Sequence, residues 1–212
     1  WQVDISGRVR TGKVMLYNPE NGRRVKEPHN YITWVHSLLK KENFNLRQCL
    51  FGEHLLASDQ QRPVALVESE KSALISSFYL PQYLWIASGG KNGAFNRDAM
   101  SVLRNRRVLL FPDLGATDYW NSKMEMIRSL GIEVSLFDFM ERNATKEERD
   151  AGYDIADFLL REETKEAIFN RLITLNLALK TLVETFDLQL VNVEKAPLSA
   201  TVQHARKGLF KR

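Results

Sequence analysis

The 212-residue sequence contains one cysteine, Cys49, so no disulfide can close within it and no thiolate cluster can hold a metal. No apolar run approaches the roughly 20 residues that a membrane-spanning helix needs. No signal-peptide pattern opens the chain: Trp1 leads into a polar, β-like stretch, which reads as a fragment of something longer. Internal repeats and low-complexity blocks are missing, and His36 and His54 have no partner at metal-ligand spacing. These absences exclude a disulfide scaffold, a helical membrane protein and a Cys/His zinc site. They leave a globular protein with no membrane partner, an expected cytoplasmic location, and room for one large domain or a domain with an appendage.

Net charge is also small, +4, but it is unevenly spread. The first 26 residues carry Arg8, Arg10, Lys13, Arg23, Arg24 and Lys26 against Asp4 and Glu20, and the tail "HARKGLFKR" is basic again. Basic clusters of this kind suit a polyanion, nucleic acid first. A solvated hairpin with a frayed tail fits the same charges.

Alternation in "QVDISGRVRTGKVMLYN" and the turn signal "NPENG" predict a β-hairpin or short meander over residues 2–26. "ITWVHSLLKK" fits a short helix, "QCLFGEHLL" is ambiguous, and "ASDQQRP" reads as a linker. From Pro63 the texture changes. The apolar runs "PVALVE", "YLWIASGG", "RVLLFPD" and "IEVSLFDF" alternate with the helical stretches "EKSALISSFYL", "NRDAMSVLRN" and "DYWNSKMEMIRSLG". Nearly all-apolar strands between helices predict an α/β fold with a mainly parallel sheet covered on both faces. The expected organisation is a basic β-hairpin and helical subdomain at 1–62, an α/β domain at 63–162, a helical segment at 163–191 and a basic tail at 192–212. In the helical segment Ile168, Leu172, Leu175, Leu179, Leu182, Val183 and Phe186 form one stripe, either packed on its own domain or facing a partner.

Working groups in open α/β sheets sit beyond the carboxyl ends of the strands. Here those positions hold Glu68, the pair Gly89–Gly90, and Asp113. Two acids at the ends of separate parallel strands can converge, and carboxylate oxygens are the ligands that Mg²⁺ prefers. Such a site suits phosphoryl transfer on nucleic acid. Each acid also has a plainer role: Glu68 near a helix start, Asp113 ordering a turn, and Asp154 capping "IADFLL" with Asp157 in its first turn. Thr117 reads as another helix cap. Lys71 and Lys91 can each meet a phosphate or simply be solvated, and Gly89 and Gly90 allow backbone amides to approach an anion or merely close a strand.

In order, "VALVESEKSAL", "IASGG", "LLFPDLGA" and "YDIADFLL" resemble a Toprim domain, the catalytic module shared by bacterial-type primases, topoisomerases and related nucleases. More narrowly, "GKVMLYN", "TWVHSLL", "QCLFGEHLL", "VESEKSA", "FPDLGA" and "DIADFLL" are similar as a set to primase-related Toprim proteins of Bacteroidetes genomes and mobile elements. The likeness covers most of residues 5–162 and implies a Toprim-like sheet flanked by helices. In such proteins a zinc-binding segment often precedes this region.

The resemblance implies that Glu68 is the general acid/base and Asp113 a ligand for Mg²⁺ or Mn²⁺, with Asp154 or Asp157 a further carboxylate. The family's second aspartate falls on Gly115, and its motif glycine on Ser69. Losing that aspartate implies weaker metal binding. Three readings follow. One is a primase-like enzyme of DNA replication, acting as a nucleotidyltransferase or nuclease, with the N-terminal basic residues guiding the strand. Another is a reduced module that binds nucleic acid or nucleotide without catalysis. The last is an assembly protein whose helical stripe docks a replicative helicase or a second copy.

Overall fold

The computed structural model describes residues 1–18, 22–40, 42–90, 93–161 and 165–190. These fall into two compact units, Trp1–Leu160 and Arg161–Arg212.

The first unit is built on four parallel strands: β5 (Val64–Val67), β6 (Leu84–Ala87), β7 (Arg107–Leu110) and β8 (Glu133–Leu136). Their order is β6-β5-β7-β8, which makes β5 and β7 the central pair. β5 and β6 are buried at every position, as sheet strands covered on both faces must be. The two-residue alternation divides their side chains between two cores. Val64, Leu66, Ile86, Val108 and Leu110 join the fully buried Trp120 and Ile127 on one face, while Ala65, Val67, Trp85 and Ala87 join Phe111, Met140 and Ile155 on the other.

The helices α3 (Glu70–Tyr79), α4 (Arg97–Met100, continued by a 3₁₀ turn at Ser101–Leu103) and α5 (Thr117–Arg128) connect successive strands. Next come α6 (Phe139–Asn143), α7 (Lys146–Ala151) and α8 (Ile155–Arg161). Two sequence expectations shift here. Strand β8 stops at Leu136, and Phe139 opens α6 instead of extending the strand. Ala116, not Thr117, is the N-cap of α5, and Thr117 spends its hydroxyl on Glu141.

Before the sheet come two small antiparallel pairs. β1 (Gln2–Val3) pairs with β2 (Val9–Thr11), and β3 (Lys13–Met15) with β4 (Ile32–Trp34). The stretch expected to be one helix from Ile32 is therefore a strand followed by one turn, α1 (Val35–Leu38). Another single turn, α2 (Leu55–Ser58), follows Phe51, which exchanges backbone hydrogen bonds with Ala87 at 2.8 and 3.0 Å and covers the open edge of β6.

The second unit contains α9 (Lys165–Leu175) and α10 (Leu177–Phe186), separated at Asn176, whose side chain accepts from the Leu179 amide. The predicted stripe thus runs over two helices. On α10, Leu177 is 78% and Phe186 65% exposed. The tail expected at 192–212 lies outside the described residues.

Candidate functional site

The carboxyl ends of β5 and β7 lie side by side, with Leu66 in register with Leu110 and the Phe111 amide donating to Leu66 O at 2.8 Å. Glu68 and Asp113 follow directly, so both sit at one edge of the sheet. They line a cleft of 660 Å³ together with Tyr17, Arg23, Arg24, Lys26, Lys71, Tyr153, Asp154 and Asp157. Four of the predicted acids therefore meet in one place, facing basic residues of the N-terminal segment.

Local bonding fixes each acid. The amides of Gly89 and Gly90 both donate to Glu68 O at 3.0 Å, which clamps the end of β5 to the end of β6. Those two N–H groups are thereby spent within the fold. Asp113 is held by its flanks: Leu114 N donates to Tyr153 O at 2.9 Å, and Ala116 N to Asp113 O at 2.9 Å. Ser69 is the N-cap of α3 and accepts from Ser72 N. Ser72 Oγ donates to Asp154 Oδ2 at 2.6 Å, which leaves Ser69 as the donor in the 2.6 Å contact between the two hydroxyls.

Asp154 is heavily engaged. Its Oδ1 accepts from Ala156 N at 2.8 Å and Asp157 N at 3.1 Å, while Asp157 Oδ2 accepts from Asp154 N at 3.1 Å. This is reciprocal capping of α8. Lys71 Nζ stands 4.0 Å from Asp154 Oδ2 and 3.9 Å from Asp157 Oδ1.

Asp113 differs from these. Its Oδ1 is buried without a hydrogen-bond partner. Burial first, then the charges of Glu68, Asp154 and Asp157, push its carboxyl up to about 8, against a smaller opposing effect of Lys71. At neutral pH Asp113 is mostly protonated, which lowers the negative charge of the cleft floor.

Among the described residues, no three acids, histidines or cysteines are placed to hold a metal ion. Asp154 Oδ1 and Asp157 Oδ2 are taken up by amides at the start of α8 and Asp154 Oδ2 by Ser72, and Gly115 brings no oxygen. As arranged, these residues do not fit a preformed Mg²⁺ or Mn²⁺ centre. Gly115 has φ +80°, and a Cβ there would meet open space. Instead its amide donates to Glu141 Oε2 at 2.9 Å, in a group that also includes Thr117 Oγ1 and Arg149. Nothing in the sequence pattern marks Glu141.

The basic residues separate into two groups. Arg23 and Arg24 are exposed on the cleft wall, and Arg23 lies 5.6 Å from the centre of the Tyr153 ring. Arg8 and Arg10 are elsewhere, paired with Asp4 at 3.0 and 2.6 Å. Lys13 is mostly buried, 2.7 Å from Glu70 Oε1 and donating to Gly89 O at 2.8 Å. Lys91 lies outside the described residues.

No curated protein matches this chain. A crystal structure of the Aquifex aeolicus primase, comprising its zinc-binding and RNA polymerase domains, resembles it at 15% identity with a TM-score of 0.45. That likeness covers 100% of this chain and 51% of the primase structure, so the chain spans about half its length. The family described as Domain of unknown function (DUF6371) matches residues 1–114, which include the paired hairpins, β5, β6, β7 and Asp113. That is more than half of the 212 residues, and the chain belongs to this family.

Proposed function

We propose that the cleft binds nucleic acid, DNA first, with Arg23, Arg24, Lys26 and Lys71 on the phosphates and the acids beneath them. The observation that carries this reading is the opposed arrangement: exposed cations on one wall and Glu68 and Asp113 on the floor of the same cavity. Cations at the rim neutralise phosphate and release counterions. Carboxyl groups below them accept hydrogen bonds from base amines, and a protonated Asp113 repels the strand less than a charged one. The test is fluorescence anisotropy of a single-stranded oligonucleotide against salt. Replacing Arg23 and Arg24 by Ala should weaken binding and flatten the log–log salt slope by roughly 0.7 per lost contact. Unchanged affinity and slope would overturn the reading.

A second reading is primase-like phosphoryl transfer, with Glu68 as the general acid/base and Mg²⁺ or Mn²⁺ held by Asp113 with Asp154 or Asp157. The unpartnered Asp113 Oδ1 favours it. A metal would supply charge neutralisation at the transferred phosphate. To ligate it, Asp154 would have to give up hydrogen bonds from Ser72 or from the first turn of α8. Metal-dependent extension or nicking that Glu68→Ala abolishes would support this reading, and its absence at saturating metal would leave the binding role.

A further inference from the structure

The edge of the sheet opposite the cleft has its own charge pattern. Strands β5, β7 and β8 begin there, roughly 13 Å from the ends that bear Glu68 and Asp113, at about 3.3 Å for each strand residue. The connection into β7 reads Arg104-Asn105-Arg106-Arg107, and the connection into β8 leaves α5 at Arg128.

Backbone contacts hold these two connections together. The Asn105 amide donates to Gly131 O at 3.0 Å, Gly131 N to Arg128 O at 2.9 Å, and Glu133 N to Arg106 O at 3.1 Å. Gly131, at φ +78°, has Arg104 Cγ 3.7 Å from where a Cβ would stand. From α4, Arg97 reaches the same turn and donates to Ser129 Oγ at 2.9 Å. The fold thus gathers Arg97, Arg104, Arg106, Arg107 and Arg128 at one edge, and all but Arg106 are exposed.

These cations lack acid partners. Arg62 pairs with Asp59 and Arg47 with Asp98, but among the described residues none of the gathered arginines forms an ion pair. Glu133 stands opposite Arg107 in register without closing one. Arg128, in the last turn of α5, is accounted for by the helix dipole alone. That account does not reach Arg104 or Arg107, which lie on a turn and on a strand. Like charges held this close repel one another until an anion joins them.

We propose that this edge binds the sugar–phosphate backbone of double-stranded nucleic acid, at a site separate from the cleft. Guanidinium forks take phosphate oxygens in pairs. Neither connection contains an aromatic residue, so the edge offers no platform for the unstacked bases of a single strand. A duplex needs none, because its bases stack on each other and its phosphates face out. The apolar residues of the turn, Leu130 and Ile132, are 7% and 3% exposed, so the edge also lacks the apolar anchor on which a protein interface centres. This inference does not depend on the cleft reading.

The experiment is fluorescence anisotropy of the full chain with a labelled DNA duplex of about two helical turns, against salt. An RNA duplex and a single strand of the same length run in parallel. Arg104→Gln/Arg107→Gln/Arg128→Gln keeps much of each side-chain stem and should unfold at the wild-type temperature. Its duplex affinity should fall roughly tenfold or more, and its log–log salt slope should flatten by about 2.7, at about 0.9 per lost phosphate contact. If the triple variant does not fold, Arg107→Gln alone carries the test, with a slope change of about 0.9. The more tightly bound duplex names the source, DNA or RNA. Unchanged duplex affinity and slope overturn the site, as does duplex binding that falls only in Arg23→Ala/Arg24→Ala. Displacement of the duplex by polyglutamate at equal charge assigns the edge to an acidic protein and overturns it too. Duplex binding that falls in the Gln variant while the wild type binds no single strand refutes the cleft alone. Single-strand binding that needs Arg23 and Arg24, beside duplex binding indifferent to the Gln variant, refutes this site alone.

Discussion

Ser72 donates its hydroxyl to Asp154 Oδ2 at 2.6 Å, joining the first turn of α3 to the start of α8 across 82 residues of chain. Ser72 is fully buried, so removing its hydroxyl leaves a carboxylate oxygen short of its donor. Ser72→Ala should lower stability by about 1.5–3 kcal/mol, the range for hydrogen bonds to charged groups. Urea denaturation measures this, and a change under about 0.5 kcal/mol, the level of an ordinary surface substitution, would contradict it.

Asp113 predicts a pH dependence of stability. Its carboxyl sits at about 8 in the folded protein against an ordinary 3.8. Across that window the folded state holds a proton that the unfolded chain releases, so stability falls as pH rises from about 4 toward 8. Asp113→Asn removes the effect. Thermal unfolding should show the variant gaining on wild type as pH increases, by a few kcal/mol at most near pH 8. Parallel curves for the two proteins would show that Asp113 titrates normally.

Lys13 and Glu70 form a pair with side chains 15% and 18% exposed. Lys13→Met should cost about 2–3 kcal/mol, somewhat less than the ~3–5 kcal/mol for breaking a fully buried pair. Adding Glu70→Leu should recover most of that loss. A double-mutant cycle with additive effects would remove the coupling.

Burial first, then Glu53, pushes the Cys49 thiol up to about 12. With Cys49 only 6% exposed, native protein at pH 8 should react with a thiol reagent on the order of a hundredfold more slowly than unfolded protein. Comparable rates would mean that the segment between α1 and α2 that carries Cys49 opens readily.

The parallel sheet was legible because its strands are apolar at consecutive positions, and only a sheet covered on both faces needs such residues. The convergence of Glu68 and Asp113 was legible for a related reason: strand ends in a parallel sheet share an edge. What stayed hidden depends on contacts between distant segments. "ITWVHSLL" has apolar spacing that suits a helix, but β3 is available to pair with Ile32–Trp34, and pairing prevails there. Phe137 and Phe139 look like more strand after "IEVSL", yet Phe139 opens α6. The six basic residues near the N-terminus are indistinguishable in sequence. Asp4 takes two of them, Glu70 takes Lys13, and Arg23, Arg24 and Lys26 line the cleft.

Lys13 Nζ donates to Gly89 O, and Gly89 N donates to Glu68 O. A relay of two hydrogen bonds thus runs from β3 to the acid at the end of β5, so a change in the N-terminal segment can reach that acid without passing through the hydrophobic core.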